Sequence, residues 1–309
     1  MSQEKKKIIF LVGPTGIGKS AAAIILAKRI NAEIISCDSM QVYRKMDIIT
    51  SKATPLERRR IKHHLLDIID PAQKYNVAKY RRAALAICEK IFLQKKIPLF
   101  VGGSGLYYSI IIDGLFPKVA EDRLIRARLN QQLKKKGNKY LYNRLIKVDP
   151  VAAKKIHPND SRRIIRALEV YLKTGKQISQ LQKNRTGLSK EYLVKIFGLN
   201  LERRVLYDRV NARVDKMFSL GLVGEVRRLL KHKLSKTAVC AIGINELKGY
   251  FNGTYSLEQT RLLMQRNSRH YAKRQLVWFK KDKRIQWVNI SKKDSSVTIA
   301  GKIWKKLSW

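Results

Sequence analysis

Eight consecutive residues carry the most legible chemistry in the chain: Gly13-Pro14-Thr15-Gly16-Ile17-Gly18-Lys19-Ser20. They match G-x-x-x-x-G-K-[ST] in full, after an apolar run, Ile8–Val12, and before an alanine-rich helical stretch, Ala21–Ile30. Glycines let a main chain wrap around an anion without Cβ clashes. The resulting nest of N–H groups and the helix N-terminus attract phosphate. Lys19 adds a point charge, and Ser20 can ligate a Mg²⁺ that bridges phosphate oxygens. Mg²⁺ is therefore the expected cofactor and Ser20 its expected protein ligand. The loop grips a diphosphate or a triphosphate without naming a reaction. A kinase hands over phosphoryl from that grip; a transferase can hold diphosphate there as a leaving group.

A second apolar run, Glu33–Cys37, leads into Asp38-Ser39-Met40-Gln41-Val42-Tyr43-Arg44. Asp38 thus falls at the carboxyl end of an expected core strand, beside the phosphate loop. A carboxylate there can bind Mg²⁺ or take a proton. An isolated Asp in such a turn serves equally well as a helix N-cap. Arg209 and Arg213, four apart on one helix face, are candidates for a further clamp on the diphosphate, or form a basic stripe facing solvent.

The elements that must position these residues follow an alternating pattern. Ile8–Val12, Glu33–Cys37 and Ile97–Val101 are short apolar runs separated by helical stretches, Ala78–Leu93 among them. Such runs predict an α/β fold with a parallel sheet covered by helices on both faces, of the P-loop NTPase kind. Function in such a sheet gathers at the carboxyl ends of its strands. Near Phe116–Val119 the pattern changes. Residues 123–185 are dense in Lys, Arg and Leu and predict an inserted helical domain. Its clearest helix is Asn159–Thr174, with Pro158 at its start and Gly175 after its end. Tyr192–Leu199 reads as a returning strand, Arg203–Leu230 as one helix and Leu257–Lys280 as another. The expected organisation is residues 1–117 as the first part of the core, 118–190 as the insertion, and 191–309 as the core's completion.

Composition narrows the partners. The 309 residues include 66 Lys and Arg against 23 Asp and Glu, a net charge of +43. The basic excess is larger after residue 115 than before it. A polyanion is the natural partner, with nucleic acid ahead of a membrane surface. Lysine bias on solvated faces accounts for part of the total charge. It explains clustered Arg less well: Arg162, Arg163 and Arg166 fall within a turn and a half of helix. Arg266, Arg269 and Lys273 fall near one face of the C-terminal helix. Cys37, Cys88 and Cys240 are scattered, odd in number and outside metal-site spacing, which fits a reducing compartment. No apolar run is long enough for a bilayer. The expectation is a soluble, cytoplasmic protein, monomeric by default.

The motifs together make the sequence recognisable. It resembles the bacterial-type tRNA dimethylallyltransferases, also called tRNA isopentenylpyrophosphate transferases, over nearly its whole length. The residues that carry the resemblance are Gly13–Ser20, Asp38-Ser39-Met40-Gln41-Val42-Tyr43, Met46-Asp47-Ile48 and His63-His64-Leu65-Leu66-Asp67. Further along they are Gly102-Gly103-Ser104-Gly105-Leu106-Tyr107, His157-Pro158-Asn159-Asp160, Arg166-Ala167-Leu168-Glu169-Val170, Ala241-Ile242-Gly243 and Ala272-Lys273-Arg274-Gln275. The resemblance implies dimethylallyl diphosphate as donor, Mg²⁺ as helper, and N6 of an adenosine next to the anticodon of tRNA as acceptor. It implies that Asp38 is the general base and that Ser104 lies close to the reacting centre. It places Thr15, Lys19 and Ser20 on the diphosphate. It further implies tRNA contacts at Asp38, Ser39, Met40, Gln41, Ser104 and Arg126, and along Arg162, Arg163, Ile164, Ile165 and Arg166. The family usually has Thr where this chain has Ser104, which keeps the hydroxyl. Glycines common after the family's Asp are here Lys45 and Ile49. A Tyr-Lys pair that commonly follows the later Ile-Gly is here Ile244-Asn245.

The chemistry agrees with these residue types. An exocyclic adenine amine is a poor nucleophile, so a carboxylate that orients it and accepts its proton is a reasonable aid. Diphosphate departs with growing charge, which N–H groups, Lys19 and Mg²⁺ would stabilise. The target base is stacked in a loop and must be extracted. Two other classes share parts of the pattern. A P-loop kinase for a small metabolite uses the loop and Asp38 but does not call for the basic insertion. A non-enzymatic RNA-binding or ATP-switch protein leaves Asp38 and Ser104 idle.

Overall fold

The computed structural model describes residues 5–115, 119–185, 187–188 and 191–307. The boundaries expected at 117–118 and 190 fall outside them. The chain divides into two compact units, Met1–Ile111 with Glu191–Trp309, and Ile112–Lys190. Among the described residues no helix is long and apolar enough to cross a membrane.

The larger unit opens with β1 (Lys7–Val12), α1 (Lys19–Arg29), β2 (Ala32–Ser36), α2 (Pro55–Arg60), β3 (His63–His64), α3 (Val77–Leu93), β4 (Ile97–Gly102) and α4 (Gly105–Ile112). The smaller unit holds α5 (Arg123–Val148), α6 (Pro150–Lys155), α7 (Ser161–Thr174) and α8 (Ile178–Leu181). The larger unit resumes with β5 (Leu193–Asn200), α9 (Arg203–Ser219), α10 (Leu222–Leu230), α11 (Ile244–Phe251), α12 (Leu257–Lys280), β6 (Gln286–Asn289) and α13 (Ser296–Trp304).

The six strands form one sheet in the order β3-β2-β4-β1-β5-β6, every pair parallel. Side chains alternate between its two faces. On one face Ile9, Leu11, Leu99 and Leu199 pack with Ala22, Ala23 and Leu26 of α1 and Ile303 of α13. On the other, Phe10 stacks on Phe100 with ring centroids 4.5 Å apart, and Tyr108 of α4 meets Phe10 and Phe279 of α12 edge-on at 5.6 Å. Burial on both faces is why β1 and β4 read as continuous apolar runs rather than as alternating ones. The register pairs Val12 with Gly102 and with Gly198, so β1 and β4 end side by side and β5 runs two residues further.

Three expectations change. The single helix expected over Arg203–Leu230 is two helices. Gly221 between them has φ 93°, a left-handed conformation that glycine adopts freely and that ends one helix before the next begins. β3 and β6 are additional strands, two and four residues long, too short to show a period of their own. α7 begins at Ser161, two residues later than expected, because the Asp160 side chain accepts a hydrogen bond from the Arg163 N–H and caps the helix there.

The smaller unit has its own core, built from Leu129, Leu141 and Leu145 of α5 against Ile164, Ile165 and Leu168 of α7. Within it the fully buried Glu169 carboxylate accepts from Arg126 Nε at 2.9 Å, Arg126 Nη2 at 3.0 Å, Arg166 Nη1 at 2.6 Å and the Asp122 N–H at 2.8 Å. Burial alone would raise this carboxyl's pKa; the four donors outweigh it and hold the pKa below the usual carboxylate value. A depressed carboxyl pKa contributes stability above the unfolded-state value, and that contribution is lost as pH falls through the folded-state value. We predict that Glu169→Ala costs about 3–5 kcal/mol in denaturant unfolding near neutral pH, because it leaves two guanidinium groups without their buried partner. The gap between mutant and wild type narrows as pH falls below the carboxylate range.

Candidate active site

The phosphate loop joins β1 to α1 at the carboxyl edge of the sheet. Gly16 has φ 79°, and a Cβ there would lie 2.9 Å from Val210 Cγ2 of α9, so both conformation and space require glycine. Gly18, φ 98°, caps α1 in the left-handed region. Ser20 is exposed on the first turn of α1. Lys19 is buried, and its ammonium donates to the Pro14 carbonyl at 2.7 Å. Burial and the neighbouring Arg213 guanidinium lower its pKa to about 7, against the opposing pull of Asp38 and Cys37. The Thr15 N–H is already engaged, donating to Gln275 Oε1 of α12 at 2.9 Å. Of the loop's donors, that one is turned away from any ligand.

β2 and β4 bring the second and third parts of the site together. The Cys37 N–H donates to the Val101 carbonyl at 2.8 Å, and the Ser104 N–H donates to the Cys37 carbonyl at 3.2 Å. A Cβ on Gly102 would lie 2.1 Å from that same Cys37 oxygen, so the strand ends can close this tightly only with glycine. Asp38 Oδ1 accepts from the Met40 N–H at 2.9 Å, and Ser104 Oγ accepts from the Ser39 N–H at 3.0 Å. Asp38 and Ser104 therefore sit on two linked turns, one carboxylate oxygen and one hydroxyl anchored to main chain.

The segment after Asp38 is held by groups that sequence reasoning did not single out. The buried Glu225 of α10 accepts the N–H groups of Asp47, Ile48 and Ile49 at 3.0, 2.9 and 2.9 Å. The buried Lys52 donates to the Tyr43 carbonyl at 2.6 Å and to Asp47 and Asp67. Lys45 takes φ 61°, the left-handed region that residues with a Cβ seldom adopt. Gln41 spends its amide inside the protein, accepting from Ser36 Oγ at 2.8 Å and donating to the Thr50 carbonyl at 3.2 Å.

These parts converge on a cavity of about 310 Å³ in the larger unit. Thr15, Asp38, Ser39, Met40, Arg213 and Arg274 line one part, and Val210, Val214, Met217 and Met264 make an apolar wall. Tyr271 also faces it; burial first, and then Asp38, push its pKa well above the usual phenol value. Arg213 Nε donates to Ser51 Oγ at 3.1 Å. Arg209 lies beside Gly18 and donates instead to the carbonyls of Ser291 and Lys292, at 3.4 and 3.3 Å. The two arginines expected as one clamp thus have different surroundings, and Arg213 is the one that lines the cavity. Tyr271, Arg274, Gln275 and Glu225 are additions to the expected set. The three on α12 were signalled by the Ala272–Gln275 motif and by the i, i+4, i+7 spacing of Met264, Ser268 and Tyr271; Glu225 of α10 had no such signal.

The residues expected on tRNA divide by environment in the smaller unit. Arg162 and Arg163 are exposed, with Arg163 paired to Asp160 at 3.3 Å. Arg126 and Arg166 are engaged by Glu169. Ile164 and Ile165 are in the core, 0% and 7% exposed. That corrects their expected part as RNA-facing side chains, because the buried face of an amphipathic helix is committed to packing.

A parallel sheet that carries a phosphate loop and a carboxylate on the ends of the two strands flanking β4 defines an α/β enzyme core of the P-loop kind. The sequence profile described as IPP transferase matches residues 41–282, and that described as isopentenyl transferase matches residues 6–68. The tRNA dimethylallyltransferase of Carboxydothermus hydrogenoformans is 47% identical over 300 residues, covering 96% of each chain. That of Thermotoga maritima is 44% identical over 290 residues, covering 93% of this chain and 94% of its own. The crystal structure of the full-length tRNA isopentenylpyrophosphate transferase from Bacillus halodurans superposes with a TM-score of 0.70 at 38% identity, covering 98% of each chain. A structure of a eukaryotic dimethylallyltransferase acting on tRNA does so at 0.78 and 30% identity, over 97% of this chain and 77% of that one. The chain belongs to the IPP transferase family.

Lys19 makes anion binding a protonation event. With a pKa of about 7 it is mostly neutral at pH 8 and mostly charged at pH 6, and an anion in the loop favours the charged form. We predict that binding of sulfate, an anion that does not itself titrate in this range, takes up more protons per site at pH 8 than at pH 6. Titration calorimetry in buffers of different ionisation enthalpy reads this out. Lys19→Arg, charged at both pH values, abolishes the difference.

Proposed function

We infer that this chain transfers a dimethylallyl group from dimethylallyl diphosphate to N6 of the adenosine next to the anticodon in tRNA, position 37, and releases diphosphate. One observation carries the reading. Thr15 of the phosphate loop, Asp38, Arg213 and the apolar side chains of Val210, Val214, Met217 and Met264 line one cavity. An anion grip beside a proton acceptor and a hydrocarbon surface suits alkyl transfer from a diphosphate ester. The names borne by the relatives, and the solved structure of a dimethylallyltransferase acting on tRNA, point to the same reaction.

In this reading the N6 lone pair forms a C–N bond to the allylic carbon as the C–O bond to diphosphate breaks. The N6 proton passes to the Asp38 carboxylate. Ser104, tied to the Ser39 N–H, keeps the Asp38 turn in place beside the reacting amine. The loop's N–H groups, Lys19 and Arg213 take the charge that collects on the departing diphosphate. The residues present fit Mg²⁺: Ser20 offers an exposed hydroxyl at the loop's end, and Mg²⁺ ordinarily binds through few protein oxygens together with substrate phosphates. Bound there, it would neutralise phosphate charge. Extraction of the adenosine from the anticodon loop precedes the chemistry. Arg162 and Arg163, exposed on α7, are the RNA-facing residues we favour in the smaller unit, and the protein acts as a cytoplasmic monomer.

The test is transfer itself. Purified protein with unmodified tRNA, dimethylallyl diphosphate and Mg²⁺ should yield an isoprenylated adenosine by mass spectrometry of the digested RNA, and no phosphorylated product with ATP. Folded protein that forms no such adenosine refutes the reading. Asp38→Ala should lower turnover on the order of 10²–10⁴-fold while donor binding persists.

A further inference from the structure

We propose that Gln275 is a positioning residue that sets the separation between the donor side and the acceptor side of the reaction. The inference rests on the transfer reading above and adds a part to it.

The Gln275 side chain is buried and its amide is used twice. Its oxygen accepts the Thr15 N–H of the phosphate loop at 2.9 Å, and its nitrogen donates to the Gly103 carbonyl at 2.8 Å. Thr15 belongs to the turn that grips diphosphate. Gly103 directly precedes Ser104, whose hydroxyl holds the Asp38 turn through the Ser39 N–H. The backbone of Gln275 belongs to α12, the helix that also sends Tyr271 and Arg274 to the cavity. One amide thus registers three elements: the phosphate loop and α12, which line the cavity through Thr15, Tyr271 and Arg274, and the Ser104 turn, which holds the Asp38 turn that lines it.

The packing around the amide leaves no slack. A Cβ on Gly103 would lie 2.2 Å from Gln275 Nε2, and one on Gly105 would lie 2.4 Å from Trp278 Cδ1, three residues further along α12. The Gly102-Gly103-Ser104-Gly105 turn is therefore shaped to receive α12. The chemistry selects the residue type. A neutral side chain must accept from one main-chain group and donate to another at once, and of the side-chain amides Gln is the one with the longer reach. The Thr15 N–H is also withdrawn from the set that can hold a ligand. Its bond serves the loop's position and not its affinity.

Displacement at carbon makes that position matter. The amine, the allylic carbon and the leaving oxygen must be nearly in line, and a displacement of about 1 Å can cost on the order of a hundredfold in rate. A loop that drifts from the Asp38 turn can still hold diphosphate. It then leaves room for water to form the new bond to the allylic carbon as the C–O bond breaks. That releases dimethylallyl alcohol and diphosphate, with the surplus proton going to solvent.

The experiment uses the full chain with tRNA and dimethylallyl diphosphate, and counts alcohol formed per isoprenyl adenosine. Gln275→Met keeps length and removes both bonds; Gln275→Glu keeps an acceptor for the Thr15 N–H and loses the donor to Gly103. The expected result is a fall in kcat of about ten- to a hundredfold for Gln275→Met. The donor KM stays within about threefold, in keeping with an effect on alignment and not on uniform binding, and the alcohol-to-adenosine ratio rises above wild type. The ratio does not depend on how much enzyme is folded, so it separates alignment from stability, and Gln275→Glu carries the same readout if Gln275→Met is insoluble. Wild-type coupling in the variants overturns the proposal, whether or not kcat falls, because loss of folded enzyme alone would leave coupling intact. A wild-type protein that makes no isoprenyl adenosine instead removes the transfer reading on which the proposal stands.

Discussion

The site depends on how closely three parallel strands can end beside one another. β2, β4 and β1 are neighbours in the sheet, and their carboxyl ends deliver Cys37-Asp38, Gly102–Ser104 and the phosphate loop. The approach of β4 to β2 leaves no space for a side chain at Gly102. A larger residue there would push the Ser104 turn away from Cys37 and break the bonds that tie Ser104 to the Asp38 turn. Everything chemical in the larger unit is built outward from that contact. The helices supply what the strand ends cannot: Arg213, Val210, Val214 and Met217 from α9, Glu225 from α10, and Met264, Tyr271, Arg274 and Gln275 from α12.

Charge organises the same region at longer range. Arg213 lowers and Asp38 raises the tendency of Lys19 to hold its proton, and Asp38 raises that of Arg213 against the effect of burial. The buried Lys19 and half-buried Arg213 against one carboxylate leave a site short of negative charge. Burial first, and then the Arg213 guanidinium, lowers the pKa of Lys19 to about 7, and its ammonium leans on the Pro14 carbonyl. The smaller unit solves the inverse problem. There one buried carboxylate, Glu169, gathers Arg126 and Arg166, and an apparent cluster of RNA-facing arginines becomes in part an internal strut.

The parts that were legible in the sequence are those whose physics is local. The phosphate loop needs glycines at fixed offsets between a strand and a helix, and the apolar runs of β1, β2 and β4 report burial on both faces. Asp38 could be placed at a strand end for the same reason. Less legible were interactions whose partners are far apart in the chain. Glu225 and the main chain of Asp47–Ile49 are separated by more than 170 residues, and Gln275 and Thr15 by 260. Nothing near Glu225 marks it as different from any other helical glutamate. The break at Gly221 was hidden because the apolar spacing of α9 runs smoothly into that of α10. Ile164 and Ile165 show the limit of transferring a stretch as a block, since a contiguous Arg-Ile-Ile-Arg run on a helix must point some of its members inward.

The electrostatics also bear on why such a loop suits a leaving group. Cations that repel one another in the empty site lose that penalty as negative charge gathers between them. Charge on the departing diphosphate is greatest after the C–O bond has begun to break. Lys19 and Arg213 therefore favour the later state over the bound ester, and interactions of that kind are the ones that speed a chemical step. A kinase also benefits from cations at its loop, but it must in addition place an acceptor oxygen in line with phosphorus. Here the cavity beside the loop presents Val210, Val214, Met217 and Met264. A hydrocarbon wall does little for a charged phosphoryl group in flight, and a good deal for an allylic chain that must stay still while its first carbon changes partners.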